Sequence, residues 1–279
     1  MGMSINTNLS ALNTYRNLNS TQNDLSKSLE KLSSGLRINR AADDAAGLSI
    51  SEGLKSQVGG LTVAARNAQD GISVVQTAEG GLTETHSILQ RMRDLAVQAG
   101  NDSNNADSRT AISTEVTELS KELTRISQST NFNGINLLDG SAGTAGVLKF
   151  QVGANGDAAS QIDVDLSGAN VSTVATAVTG LDFTTADGAQ AAITAIDAQI
   201  KNVSTARSNI GAIQNRFDHA INVTNVAKEN LTAASSRITD VDMAEEMVKY
   251  TRDNILSQAG TSMLAQANQS TQGVLSLLR

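Results

Sequence analysis

Cysteine, proline and tryptophan are absent from this 279-residue chain, and aromatics make up only 2% of it. Without cysteine there is no disulfide, no thiolate metal site and no cysteine nucleophile. At average usage about 5% of residues would be proline; none is present, so the strongest helix breaker and the slow cis–trans folding step are both missing. So few aromatics give neither a large aromatic core nor a stacking platform for single-stranded nucleic acid. A net charge of −7 disfavours binding to a phosphate backbone. No run of 18 apolar residues occurs, which excludes a membrane-inserted helix. The first charged residue is Arg16, and no apolar segment with a small-residue cleavage site follows Met1, so export of a Sec type is not expected.

What is present is a long helical pattern. Leu54, Leu61, Ala68, Val75, Leu82, Leu89 and Ala96 recur every seven residues, with Val58, Ala65 and Ile72 four positions on. This is a coiled-coil seam. Ile196, Val203, Ile210, Phe217, Thr224, Leu231 and Ile238 repeat at the same interval, partnered by Ala206, Ile213, Ala220, Ala227 and Ala234. Ile112, Val116, Leu119, Leu123 and Ile126 mark a shorter amphipathic helix. The termini carry diluted versions. Leu18, Leu25 and Leu32 alternate with Leu29 and Leu36, and Leu256, Met263, Ser270 and Leu277 alternate with Gly260, Ala267 and Val274. Helices over 50–98 and 190–238 would each extend about 73 Å, and those over 4–36 and 243–277 about 50 Å. The matched lengths predict a mainly α fold: a folded-over coiled-coil rod that pairs N- with C-terminal helices in two tiers.

The bend of that rod is expected between Asp139 and Gln190, where one cation, Lys149, faces six aspartates, so the segment carries −5 of the −7. Leu148, Phe150 and Val152 alternate there, as do Ile162, Val164 and Leu166, which predicts a small β-hairpin. Gly140, Gly143 and Gly146 read as a flexible loop. Gly53, Gly59, Gly60, Gly71, Gly80 and Gly81 interrupt the first long helix, each at a cost of about 1 kcal/mol relative to alanine. They are either tolerated or mark close approach of another backbone. Residues 1–15 and 254–278 carry no charged side chain. A helix without a charged face is disordered or surrounded by protein, and assembly into a polymer with packed ends is the reading preferred here.

Catalytic motifs do not emerge. His86 and His219 stand apart, and there is no HExxH, GxSxG or GxxxxGK[ST] pattern. Asp163-Val164-Asp165-Leu166-Ser167-Gly168 opens like a calcium loop, but its twelfth position would be Val174, which has no carboxylate. The expectation is a non-enzyme with no cofactor and no metal.

Three stretches resemble bacterial flagellin: Leu32-Ser33-Ser34-Gly35-Leu36-Arg37-Ile38-Asn39-Arg40-Ala41-Ala42-Asp43-Asp44-Ala45-Ala46-Gly47; Asn131-Phe132-Asn133-Gly134 with Leu137-Leu138; and the closing segment from Asn254-Ile255-Leu256 through Met263 to Leu277-Leu278-Arg279. The resemblance covers roughly 1–140 and 190–279 and implies a short flagellin without inserted outer domains. It divides the chain into 1–44 and 239–279 as the two halves of an inner, channel-lining domain, 45–138 and 190–238 as the middle domain, and 139–189 as a surface hairpin segment. It implies polymerisation into the extracellular flagellar filament for swimming, with Leu18, Leu25, Leu29, Leu32, Leu36, Leu256, Met263, Ala267, Val274 and Leu277 as the polymerisation core. The implied partners are further copies of the chain, a flagellar export chaperone of the type III pathway, the filament cap and hook–filament junction proteins, with no nucleic acid and no membrane insertion. Leu89-Gln90-Arg91-Met92-Arg93-Asp94-Leu95-Ala96-Val97-Gln98 resembles the segment that a vertebrate Toll-like receptor reads. By that resemblance Gln90, Arg91 and Leu95, with Glu115 on the next helix, would be receptor contacts, Leu95 as the apolar anchor. A hook–filament junction protein and a secreted coiled-coil adhesin are the rival readings.

Overall fold

A computed structural model describes residues 8–277, with side chains through residue 269. The chain is mainly α. In order, the elements are α1 (Leu9–Ser34), α2 (Ala45–Ala99), α3 (Ala106–Ser129), β1 (Asn131–Phe132), β2 (Ile135–Asn136), β3 (Val147–Gln151), β4 (Gln161–Asp165), α4 (Val171–Val178), α5 (Ala186–Thr239) and α6 (Met243–Leu277). Two compact units result, one from 1–56 and 230–279, the other from 57–229.

In the first unit α1 and α6 run antiparallel. Asn8 caps α1 by accepting the Ala11 N–H, and its Nδ2 donates to the Ala267 carbonyl at 2.9 Å. A β-carbon built on Gly260 would lie 3.2 Å from the Leu18 side chain. Leu36 bridges to Asp240, and the Arg37 N–H donates to Thr239 O while Val241 N–H donates to Gly35 O. Gly35 ends α1 with φ 72°, a left-handed cap that glycine adopts without a β-carbon penalty.

In the second unit α2 and α5 are antiparallel, tied by Arg93 Nε to Asp197 Oδ1 at 2.6 Å and by the longer Arg207–Glu79 pair. The row predicted from Ala68 through Val75, Leu82 and Leu89 to Ala96 is buried. Its partner row is not Val58, Ala65 and Ile72, which are half-buried. The buried partners are Ala64, Gly71, Ala78, Thr85, Met92 and Ala99. The glycine and alanines of this row let α5 and the hairpin approach α2 closely.

Of the six glycines that interrupt the apolar pattern of α2, three serve that approach. A β-carbon on Gly71 would lie 2.6 Å from the Phe217 ring, one on Gly81 2.6 Å from Leu138, and one on Gly60 2.9 Å from Ala154. Gly53, Gly59 and Gly80 have nothing within 4 Å. Phe217 in turn meets Phe150 of β3 edge-on, with ring centres 5.6 Å apart. The β3–β4 hairpin therefore spans both long helices: Asn67 Nδ2 donates to Gln151 O at 3.0 Å and Thr224 Oγ1 to Val152 O at 3.4 Å. Ile162, Val164 and Leu166 point inward, so strand alternation accounts for the aspartates of the calcium-like run.

The glycine run after Asp139 is not a flexible loop. Gly140, Gly143 and Gly146 have φ of 83°, 57° and 84°, and a β-carbon on Gly143 would lie 2.2 Å from Val147 O. They form a tight passage around the buried Ala142. Helix α4 was not expected. Asn170 caps it by accepting the Thr173 N–H, and Val171, Val174, Ala175 and Val178 bury one face.

Candidate functional site

Two surfaces carry the residues singled out in the sequence. The first is the α1–α6 pair. The strip of α6 facing α1 holds Glu246, Asp253, Gly260 and Ala267, seven residues apart. Glu246 is 5% exposed and accepts the Ser28 hydroxyl on Oε1 at 2.5 Å, with Lys249 Nζ 3.8 Å from its other oxygen. Asp253 is also buried, with Arg252 Nε 3.5 Å away. The Leu256–Met263 row, expected as a seam toward α1, instead lies about 60° around the helix from that strip. Leu256 and Met263 are exposed, as are Met247, Val248 and Ile255 on the same helix. The physical reason is the small size of Gly260 and Ala267: they let α1 settle on their row and leave the bulky row outside.

On α1, Leu29 is exposed together with Leu9, Leu12 and Tyr15. Leu18, Leu25, Leu32 and Leu36 are half-buried, as is Ala267. The side chains of Val274 and Leu277 lie outside the described residues. Of the predicted set, then, the structure brings Leu18 against α6 and leaves Leu29, Leu256 and Met263 uncovered. Sequence reasoning missed Leu9, Leu12, Tyr15, Val248 and Ile255. For Leu9, Leu12, Tyr15 and Ile255 the signal was an apolar residue in an uncharged segment rich in Ser, Thr, Asn and Gln; Val248 lies among Glu245, Glu246, Lys249 and Arg252 and gave no such signal.

The second surface lies where α2 meets α3. Arg91 Nε donates to Glu115 Oε1 at 2.8 Å, and its Nη2 is 2.7 Å from the same oxygen. Both side chains are about half exposed. Gln90 is exposed, with its Nε2 2.9 Å from His86 Nε2. Leu95 corrects the expectation. It is 2% exposed and packs in the core with Leu89 and Met92, so it has no free surface to anchor a partner. The α-helical period decides this: Leu95 lies three residues on from Met92 and four before Ala99, both buried, whereas Arg91 falls outside that arc.

Nothing at either surface assembles an acid, a base and a nucleophile. Among the described residues no group of three His, Asp or Glu side chains is placed to hold a metal ion, and no helix is long and apolar enough to cross a membrane. In the 139–189 segment, Asp139, Asp165 and Asp182 are held below the ordinary carboxylate pKa by local hydrogen bonds: Asp139 by the Ser141 hydroxyl first, Asp165 by the Ser167 hydroxyl, and Asp182 by the Thr184 hydroxyl and N–H. These are turn-fixing groups at the starts of structured segments.

The terminal pair leaves apolar side chains uncovered, and the β3–β4 hairpin clasps the long helices. Residues 5–143 match the bacterial flagellin N-terminal helical region and residues 193–278 match the bacterial flagellin C-terminal helical region. The chain belongs to the bacterial flagellin family. A flagellin of Halalkalibacterium halodurans is 53% identical over 277 residues, covering 99% of this chain and 100% of the relative. A flagellin of Bacillus subtilis is 48% identical over 304 residues, again covering 99% and 100%. Such end-to-end agreement marks a short form, without long insertions between the two matched regions. The structure of a putative flagellar hook-associated protein from Vibrio parahaemolyticus shares the fold, with a TM-score of 0.56 at 16% identity over 71% of this chain and 100% of that one. Flagellins are structural proteins of the extracellular filament, and the chain is a filament subunit rather than an enzyme.

Proposed function

We propose that the α1–α6 pair drives polymerisation and forms the inner, channel-lining part of the filament, and that residues 45–138 and 190–238 build the layer around it. The observation that carries this reading is the uncovered apolar surface: Leu9, Leu12, Tyr15, Leu29, Ile255, Leu256 and Met263 are each 49% or more exposed, and all but Leu29 lie in the stretches 1–15 and 254–278 that carry no charged side chain. In a lone chain these side chains face water. In a tube they cover one another, and that burial, about 25 cal/mol per Å², supplies the ordering energy of the terminal helices. An interface that does not close on itself gives an open filament. Before assembly, the same exposed rows call for an export chaperone, and the growing end for cap and junction proteins. Negative-stain micrographs of the purified chain test it: smooth tubes are expected, and a chain that stays monomeric under all precipitating conditions overturns it.

The monomer is further proposed to be read by a vertebrate Toll-like receptor through Gln90, Arg91 and Glu115. Arg91 supplies charged N–H donors, and Glu115 both orients them and offers a carboxylate. Leu95 acts from beneath, by fixing the turn of α2 that presents Arg91. A reporter-cell assay on monomer, with Arg91→Ala as the comparison, is the measurement that tests this contact.

A further inference from the structure

The chain holds two Asn-Gly dipeptides, and they sit in different surroundings. Asn133-Gly134 is the turn between β1 and β2. Asn133 is in the left-handed region at φ 50° and Gly134 at φ 79°, clamped by the pairs Asn131–Asn136 and Phe132–Ile135. Asn155-Gly156 is at the tip beyond β3. Both residues are exposed, and a β-carbon on Gly156 would meet nothing within 4 Å. Among the described residues neither the Asn155 carboxamide nor the Gly156 N–H is hydrogen-bonded, whereas the carboxamides of Asn136, Asn170 and Asn67 are each tied to a neighbour. The Asn155 carbonyl is different: it accepts Gln151 Nε2 at 2.6 Å, and Gln151 Oε1 accepts Gln161 Nε2 from the paired strand at 3.1 Å. A chain of amide hydrogen bonds therefore ends on the peptide group that joins Asn155 to Gly156, and such chains polarise each member. Drawing electrons toward that carbonyl makes the Gly156 N–H more acidic.

We propose that Asn155 is a self-modification site, at which the Gly156 amide attacks the carboxamide and converts the residue to aspartate or isoaspartate. Gly156 N loses its proton to water and bonds to Asn155 Cγ. The Cγ–Nδ2 bond breaks, and the amide nitrogen takes up a proton and leaves as ammonia, giving a five-membered cyclic imide. Water then adds to one of the two imide carbonyls. Opening at the former backbone carbonyl gives isoaspartate, and opening at Cγ gives aspartate. Water is the only co-reactant, and nothing is oxidised or reduced. Asn133 is protected because ring closure needs its backbone to leave the left-handed turn, which would undo the β1–β2 pairing. Gln151 is a positioning residue for this step.

The product puts a new negative charge two residues before Asp157. In the iso form it also routes the backbone through Cβ, one carbon longer, beside Ala154, which is wedged on Gly60 of α2. Older subunits thus differ from fresh ones in charge and in the fit of the hairpin tip.

The full-length chain is incubated in neutral buffer made with ¹⁸O water and then analysed by peptide mapping and mass spectrometry. The peptide containing position 155 is expected to gain the mass of an NH2-to-OH exchange carrying one heavy oxygen, with isoaspartate the larger product. The peptide containing position 133 is expected to stay unchanged. Gly156→Val, which crowds the attacking nitrogen, should slow the change by about an order of magnitude, and Gln151→Leu several-fold, each compared with a variant whose circular dichroism matches the parent. An unchanged 155 peptide in the parent chain, or equal rates at 133 and 155, overturns the site. A parent-like rate in Gln151→Leu overturns the role given to the amide chain.

Discussion

At the scale of single residues, α2 separates two uses of glycine. Gly71 is a notch: Phe217 fills it and meets Phe150 behind. Gly80 faces open space. Gly71→Ala is expected to lower stability by roughly 1–3 kcal/mol through overpacking, and Gly80→Ala to raise it by about 1 kcal/mol through helix propensity. Thermal unfolding followed by circular dichroism reads both, and equal effects would remove the distinction. The aspartates give a second expectation at this scale. Hydrogen bonds from Thr184 and Thr185 hold the Asp182 carboxyl below its ordinary pKa just ahead of α5. A depressed folded-state pKa contributes stability that is fully present above the unfolded carboxylate value and is lost as pH falls through the lower folded one. Asp182→Asn should therefore make the melting temperature fall less steeply with acidification from about pH 5 downward. A slope equal to that of the parent would show that these bonds persist in the unfolded chain.

At the scale of elements, the long helices were legible because their apolar residues repeat over many turns. The expected 50–98 and 190–238 became Ala45–Ala99 and Ala186–Thr239. The early start of α2 has a local cause in Asp44, whose Oδ1 accepts the Gly47 N–H at 2.9 Å. Helix α4 was missed although Val171, Val174, Ala175 and Val178 keep helical spacing, because eight residues in a Ser-, Thr- and Ala-rich background give a weak signal. The β1–β2 turn was missed as well, although Asn133-Gly134 is the dipeptide that such turns favour. Hydrophobic periodicity also misplaced the α1–α6 contact. Of the two rows read from the sequence, the Gly260–Ala267 row does meet α1, but the strip continues through Glu246 and Asp253, which carry no apolar signal, and the Leu256–Met263 row faces outward. That outward row makes a sharp prediction. Met263 is 62% exposed, so Met263→Asp should leave the helicity of the monomer unchanged. In a packed polymer the same carboxylate would be buried without a partner, at a cost of several kcal/mol per subunit. Sedimentation and electron microscopy should find folded chains and no tubes. Tubes of normal length would place Met263 outside the subunit contacts.

At the scale of the whole molecule, the question is whether the α2–α3 surface is a recognition site or only a strut of the fold. Fold and recognition make different demands on the same residues. Arg91 and Glu115 form a half-exposed ion pair, and such pairs contribute only about 0–1 kcal/mol to stability. Leu95 is a buried core residue, and truncating it should cost about 2–5 kcal/mol. Leu95→Ala is therefore expected to weaken receptor activation only in step with unfolding, whereas Arg91→Ala should keep the fold and lose roughly 2 kcal/mol of receptor binding, if Arg91 ranks among the few residues that dominate such contacts. A charge exchange separates the two explanations further. Arg91→Glu with Glu115→Arg restores the pair within the chain, so a purely structural role predicts a full response. A recognition role predicts a lost response, because each charge now meets its like across the contact. The deciding measurement is a reporter-cell titration of the doubly exchanged monomer beside its melting curve. Parent-like melting with a lost response assigns the surface to the receptor; parent-like melting with an undiminished response would remove Arg91 and Glu115 from it.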